Sequence, residues 1–128
     1  MKNLLLIIVI LLTVSAQSQS LNDVFKKYLQ PRSTAEQLRI GFKKVEDLCA
    51  TTPEEKCNKA KASALFLLSN KYYAAVYQLY SVDKELAVPI LEKANELYNK
   101  ANSYMPITEF TTSQKRMMLG YKIRFEAD

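Results

Sequence analysis

Eight tyrosines and five phenylalanines, with no tryptophan and no histidine, set the chemistry open to this chain. Tyr73, Tyr77 and Tyr80 stand at i, i+4 and i+7, with Tyr72 alongside. On a helix that spacing makes one row of phenolic rings. Such a row offers apolar area and a hydroxyl together, so it can line a ligand groove. The plainer reading is a core whose hydroxyls reach the surface or a backbone carbonyl. Tyr98 and Tyr104 lie on the next helical segment and can face the row. The groove between the two segments is then the pocket candidate, with Tyr73, Tyr77, Tyr80 and Tyr98 as its ligand-binding residues.

Other constellations are weaker. Glu92 and Glu96 are spaced to share a metal or move a proton, but they fall on a polar face, where Glu96 with Lys100 reads as a surface ion pair. Gly41 and Gly120 are isolated, so there is no glycine-rich phosphate loop. Without histidine neither a Ser-His-Asp nor a Cys-His arrangement can form, nor a common zinc site. The expectation is no enzyme, no metal and no cofactor.

Cys49 and Cys57 are the only cysteines. A thiol at Cys57, near a helix N-terminus, would have a lowered pKa, but no base stands by to use it. If the segments on either side of Thr51–Pro53 fold back as a hairpin, the two cysteines face each other across its closed end. An exported chain oxidises such a pair. Closing so short a loop is worth about 2.5 kcal/mol in the chain-entropy description.

The elements that must position these residues are helical. Few glycines and many Ala, Leu, Lys and Glu favour helix over sheet. Residues 60–82 are apolar on nearly every side, except for a narrow stripe of Ser63, Asn70, Lys71, Gln78 and Ser81. A helix with so much to hide sits in the centre, with others around it. Before it, Leu21, Val24, Phe25, Tyr28 and Leu29 recur at helical spacing behind Ser20, a cap, and Pro31 ends that helix. Ser33 and Glu36 make a capping box for a second helix bearing Leu38, Gly41, Phe42, Val45 and Leu48. Thr52 and Glu55 make another, with Pro53 at the first position of the central helix. A fourth helix from about Val82, bent at Pro89, carries Leu86, Ala87, Ile90, Leu91, Ala94, Leu97, Tyr98 and Ala101, and Pro106 closes it.

The tail has two readings. Thr111 to Gln114 has capping-box spacing and opens a helix with Met117, Met118 and Tyr121 inward. Leu119, Tyr121, Ile123 and Phe125 also alternate with polar or small residues, as in a strand. In an otherwise helical chain the helix is favoured. Met117 and Met118 with Lys115, Arg116, Lys122 and Arg124 also make residues 115–125 a candidate for contact with a membrane surface or a partner. A final helix that covers the core is the simpler reading.

The N-terminus reads as a secretory signal. Lys2 precedes the apolar run Leu4 to Leu12, and Val14-Ser15-Ala16 offers a small-x-small cleavage pattern. The run is about half the ~20 residues needed to cross a bilayer. The expectation is cleavage near Ala16, a single domain over residues 17–128, and a secreted or periplasmic location. The net charge of +5 is spread over Lys26-Lys27, Lys43-Lys44, Lys59 with Lys61, and Lys115-Arg116. That dispersion reads as solvated helix surface and excludes a nucleic-acid arm.

Ala94, Tyr98, Ala101 and Pro106 stand at the spacing of the second-helix signature of a tetratricopeptide repeat. Leu119-Gly120 with Ile123 is similar to the start of a following first helix, about four residues late. The resemblance covers roughly residues 86–128. It departs from the pattern before Ala94, where Ser81, Val82 and Glu85 replace the packing residues of a first helix. It implies protein or peptide binding on a helical surface, and no catalytic site.

The sequence therefore predicts an all-α chain: a small bundle or hairpin array of four to five helices around a long central one, with one disulfide. Its expected role is an exported binding module for a protein or peptide. The alternative is a carrier of a small apolar ligand in the tyrosine groove.

Overall fold

Helix is the only extended secondary structure among residues 20–127, which the computed structural model describes. The expected signal peptide at residues 1–16 lies outside the described residues. Five α-helices follow one another: α1 Leu21–Tyr28, α2 Ala35–Leu48, α3 Glu54–Leu79, α4 Lys84–Tyr104 and α5 Thr112–Ala127. A short 3-10 turn, Ile107–Glu109, joins the last two. The fold is all-α, built around a central long helix and carrying one disulfide.

Local chemistry sets each start. Ser20 and Asp23 exchange side-chain and backbone hydrogen bonds at the head of α1. The box expected from Ser33 and Glu36 is displaced by one residue. Thr34 and Gln37 form it, at 3.1 and 2.9 Å. Ser33 is buried and accepts the Gln30 N–H at 3.1 Å, so its hydroxyl belongs to the preceding turn. The box expected from Thr52 and Glu55 is absent: Thr52 donates back to the Leu48 carbonyl at 2.7 Å, and Pro53 takes the cap position. α4 begins at Lys84 rather than at about Val82, and Asp83 caps it by accepting the Leu86 N–H at 3.2 Å. This helix runs on through Pro89. Proline removes the N–H that the Glu85 carbonyl would accept, at an exposed position where water can replace it.

With 26 residues, α3 is about 39 Å long and touches α2, α4 and α5. Twelve of its residues are buried, among them Phe66, Tyr73 and Val76. The predicted polar stripe of α3 is divided. Asn70 reaches α5 and Lys71 reaches the Pro31 carbonyl at 2.9 Å, Ser63 bonds the Lys59 carbonyl within its own helix, and Gln78 and Ser81 are exposed. Three contacts show α4 running antiparallel to α3: Lys61 with Tyr104, Phe66 with Tyr98, and Tyr73 with Asn95. Three more show α5 running parallel to it: Phe66 with Phe110 just before α5, Tyr77 with Tyr121, and Tyr80 with Phe125.

The hairpin of α2 and α3 closes at Cys49–Cys57, whose Cα atoms are 5.6 Å apart. That separation is ordinary for a disulfide. Behind it, α1 lies on α2 at Gly41. A Cβ there would stand 2.7 Å from both Leu29 Cδ2 and Tyr28 Cβ, so only glycine permits the approach.

The tail is helix, not strand, but it is broken. Thr111 and Gln114 exchange hydrogen bonds at its head, as the spacing predicts. At Leu119 the backbone leaves the helical range, with φ −134° and ψ 16°. Met118 and Leu119 are buried, whereas Met117, expected inward, is 48 % exposed. No described helix is long and apolar enough to cross a membrane.

Candidate functional site

The tyrosine row faces α5 rather than the groove between α3 and α4. Tyr77 meets Tyr121 edge-on, with ring centres 6.3 Å apart, and Tyr80 meets Phe125 at 5.5 Å. Only Tyr73 turns to α4, where its hydroxyl and the Asn95 carboxamide oxygen are hydrogen-bonded. Tyr98 packs edge-on against Phe66 at 5.5 Å. Tyr104 lies elsewhere, under the Lys61 ammonium. Tyr72 accepts from Arg39 on the α2 side at 2.6 Å. The four candidate residues therefore split between two adjoining environments. Tyr73 and Tyr80 point within about 20° of each other but stand about 10 Å apart along the helix, so they meet different neighbours.

The inner environment is polar and crowded. Lys122 Nζ lies 4.6 Å from the Tyr98 ring centre and 5.9 Å from that of Tyr73, and it pairs with Glu126. Its side chain is only 16 % exposed, and the two rings face its charge where water does not. Tyr73 itself is 1 % exposed. Burial, then the negative charge of Glu126, then Tyr98, push its hydroxyl up to about 12. The phenol therefore stays neutral at ordinary pH and acts as a hydrogen-bond donor. Sequence reasoning missed Asn95 and read Lys122 as part of a membrane- or partner-contacting tail rather than as a neighbour of Tyr73. Both belong to helices whose contact with Tyr73 is tertiary.

The outer environment is open. Tyr77, Tyr80, Ser81 and Phe125 line a cleft of about 530 Å³ at the end of the molecule. Tyr77 is 42 % and Tyr80 38 % exposed, and Val82 and Leu86 on the adjoining hairpin tip are more exposed still. Lys84 sits 5.4 Å over the Tyr80 ring and Arg124 5.5 Å over that of Tyr121. Nothing in this arrangement resembles a nucleophile with a base. A smaller cavity of about 220 Å³ lies under α1, between Phe25, Leu29, Leu67, Phe110 and Met118. It is below the usual size for a drug-sized ligand.

The remaining candidates sit on the surface. Glu96 pairs with Lys93 at 3.5 Å, not with Lys100, whose ammonium lies over the Phe42 ring instead. Among the described residues no group of acidic or cysteine side chains is placed to hold a metal ion. Comparison of the chain with protein-family models, curated proteins and solved structures found no match.

Proposed function

We propose that this chain is an exported interaction module that binds a protein or peptide at the end formed by α3, α5 and the α3–α4 tip. One observation carries the reading. Tyr77 and Tyr80 line the cleft at 42 and 38 % exposed, and Val82 and Leu86, on the α3–α4 tip that follows, are 80 and 60 % exposed. Single exposed apolar residues are ordinary, but a run of them at the end of α3 and the start of α4 marks a contact surface. Tyrosine suits such a surface, since it brings area and a hydroxyl with little loss of freedom. Export rests on the N-terminal pattern, with cleavage near Ala16, and the disulfide is compatible with it.

A tetratricopeptide-like arrangement is part of this proposal. Ala94 and Ala101 are fully buried, as small residues at a close helix approach should be. A helix antiparallel to α3 followed by one parallel to it is also what stacked helical hairpins need.

The carrier reading is second. A cleft of about 530 Å³ is within the range of small-ligand sites, which favours it. The cleft is walled by few residues and open to water, which disfavours it.

The test is site-directed photo-crosslinking on the intact protein in its own source. A crosslinker at Val82 or Leu86 should capture a partner, and one at Glu36 or Asp47 on α2 should not. Capture at α2 alone would defeat the proposal.

A further inference from the structure

The break in α5 separates two parts that hold to the molecule differently. Before it, Met118 and Leu119 are each 5 % exposed and tie the helix to the core. After it, no described residue is buried. Tyr121, Lys122 and Phe125 are half-buried, and Ile123, Arg124 and Glu126 are exposed. The hydrogen-bond ladder is also diverted, because the Tyr121 N–H goes to Asn70 Oδ1 on α3 at 2.9 Å. Gly120, next to the break, has no atom within 4 Å of where a Cβ would stand.

The geometry points to residues 120–127 as a detachable helix that occupies a helix-binding groove of its own chain, and to a partner helix of the same chemistry as what that groove takes. The groove is made by Asn70, Tyr73 and Tyr77 of α3 and its C-cap Tyr80, with Tyr98 of α4. The tail displays the complement. An aromatic ring at Tyr121 meets Tyr77, the next residue, Lys122, enters between Tyr73 and Tyr98, and a second ring at Phe125 meets Tyr80. Asn70 supplies the acceptor that a helix start requires. The ligand chemistry is therefore a helix start followed by aromatic–lysine and, four residues after the first ring, a second aromatic. Anchors at that spacing lie on one helix face, the mode in which helices enter grooves.

Segments that bury little open locally at small cost, without global unfolding. The tail competes with any partner at an effective concentration on the order of millimolar. The groove is thus self-covered until a better helix, or a loosened tail, frees it. This inference rests on the interaction reading above and adds the chemistry of the partner.

Two measurements on the full chain test it. Hydrogen exchange should show amides 121–127 opening at least about tenfold faster than the centre of α3. Asn70→Ala should speed them by a further factor of about five. In an NMR titration, a synthetic peptide of residues 119–128 should bind a Tyr121→Ala/Phe125→Ala chain about tenfold more tightly than wild type, with shifts at Tyr77 and Tyr80. That variant removes the tail's rings and leaves the groove intact. Wild-type dimers that form on concentration and vanish in the double variant would also support the groove, filled then by a second copy's tail. A tail that exchanges only with global unfolding, or a folded double variant that ignores the peptide, overturns the proposal. Crosslinking at Val82 does not depend on tail movement, so the two readings fail separately.

Discussion

Asn70 Oδ1 accepts the backbone N–H of Tyr121 at 2.9 Å, across a separation of 51 residues. The bond does the work of an N-cap, but the cap comes from another helix. It replaces the bond that Tyr121 would have made to Met117 had α5 stayed continuous through Leu119. Asn70→Ala should therefore cost about 1 kcal/mol, the usual worth of a cap. Asn70→Asp should retain most of it, because a carboxylate also accepts and suits a helix start. Urea denaturation of the three proteins would rank them.

The glycines should respond in opposite ways. Gly41→Ala drives a methyl to 2.7 Å from Leu29 and Tyr28, where α1 meets α2. Overpacking of that kind costs about 1–3 kcal/mol, which the better helix propensity of alanine offsets by at most about 1. Gly120→Ala meets nothing and should be neutral or stabilising by up to about 1 kcal/mol. Thermal denaturation of the pair compares them directly.

The disulfide should matter by an amount set by its short loop. Replacing Cys49 and Cys57 together by alanine should lower stability by about 2.5 kcal/mol, and reduction of the wild type should match it. The loss should appear in the denaturation midpoint, with helix content at 25 °C unchanged.

Tyr73 gives a pH dependence of definite sign. Its hydroxyl is held up to about 12 in the fold, while an unfolded tyrosine ionises near 10. Below about pH 10 both states keep the proton and stability is unaffected. Above it the unfolded chain loses the proton first, so stability falls as pH rises towards about 12. Tyr73→Phe should flatten that alkaline decline. An unchanged alkaline slope in the variant would contradict the assignment.

What the sequence made legible was local. The helices, the cap at Ser20, the Thr111–Gln114 box and the cysteine pairing all follow from spacing over a few residues. Where two hydroxyls compete, spacing alone fails: Ser33 and Thr34 both precede a suitable partner, and the turn at Gln30 claims Ser33. Glu96 likewise chose Lys93 because the Lys100 side chain lies over Phe42, from another helix. The tyrosine row was legible as a row, but its neighbour was not. Which helix faces Tyr77 and Tyr80 depends on how α5 returns, and that return depends on a break at Leu119 that the sequence does not announce.

The same break explains the double pattern of the tail. Leu119, Tyr121, Ile123 and Phe125 alternate as a strand would, yet residues on the two sides of a kinked helix need not share one phase. Leu119 ends the buried part, and Tyr121 and Phe125, four apart, begin a new face on α3.

The central claim is that the aromatic end of α3 and α5 carries the partner. Native mass spectrometry of the protein purified gently from its own source, wild type beside Tyr80→Ala, tests it most directly. The account predicts a protein or peptide bound to the wild type and lost from an equally folded variant. The same partner retained in full by Tyr80→Ala, or contacts confined to α1 and α2, would contradict it.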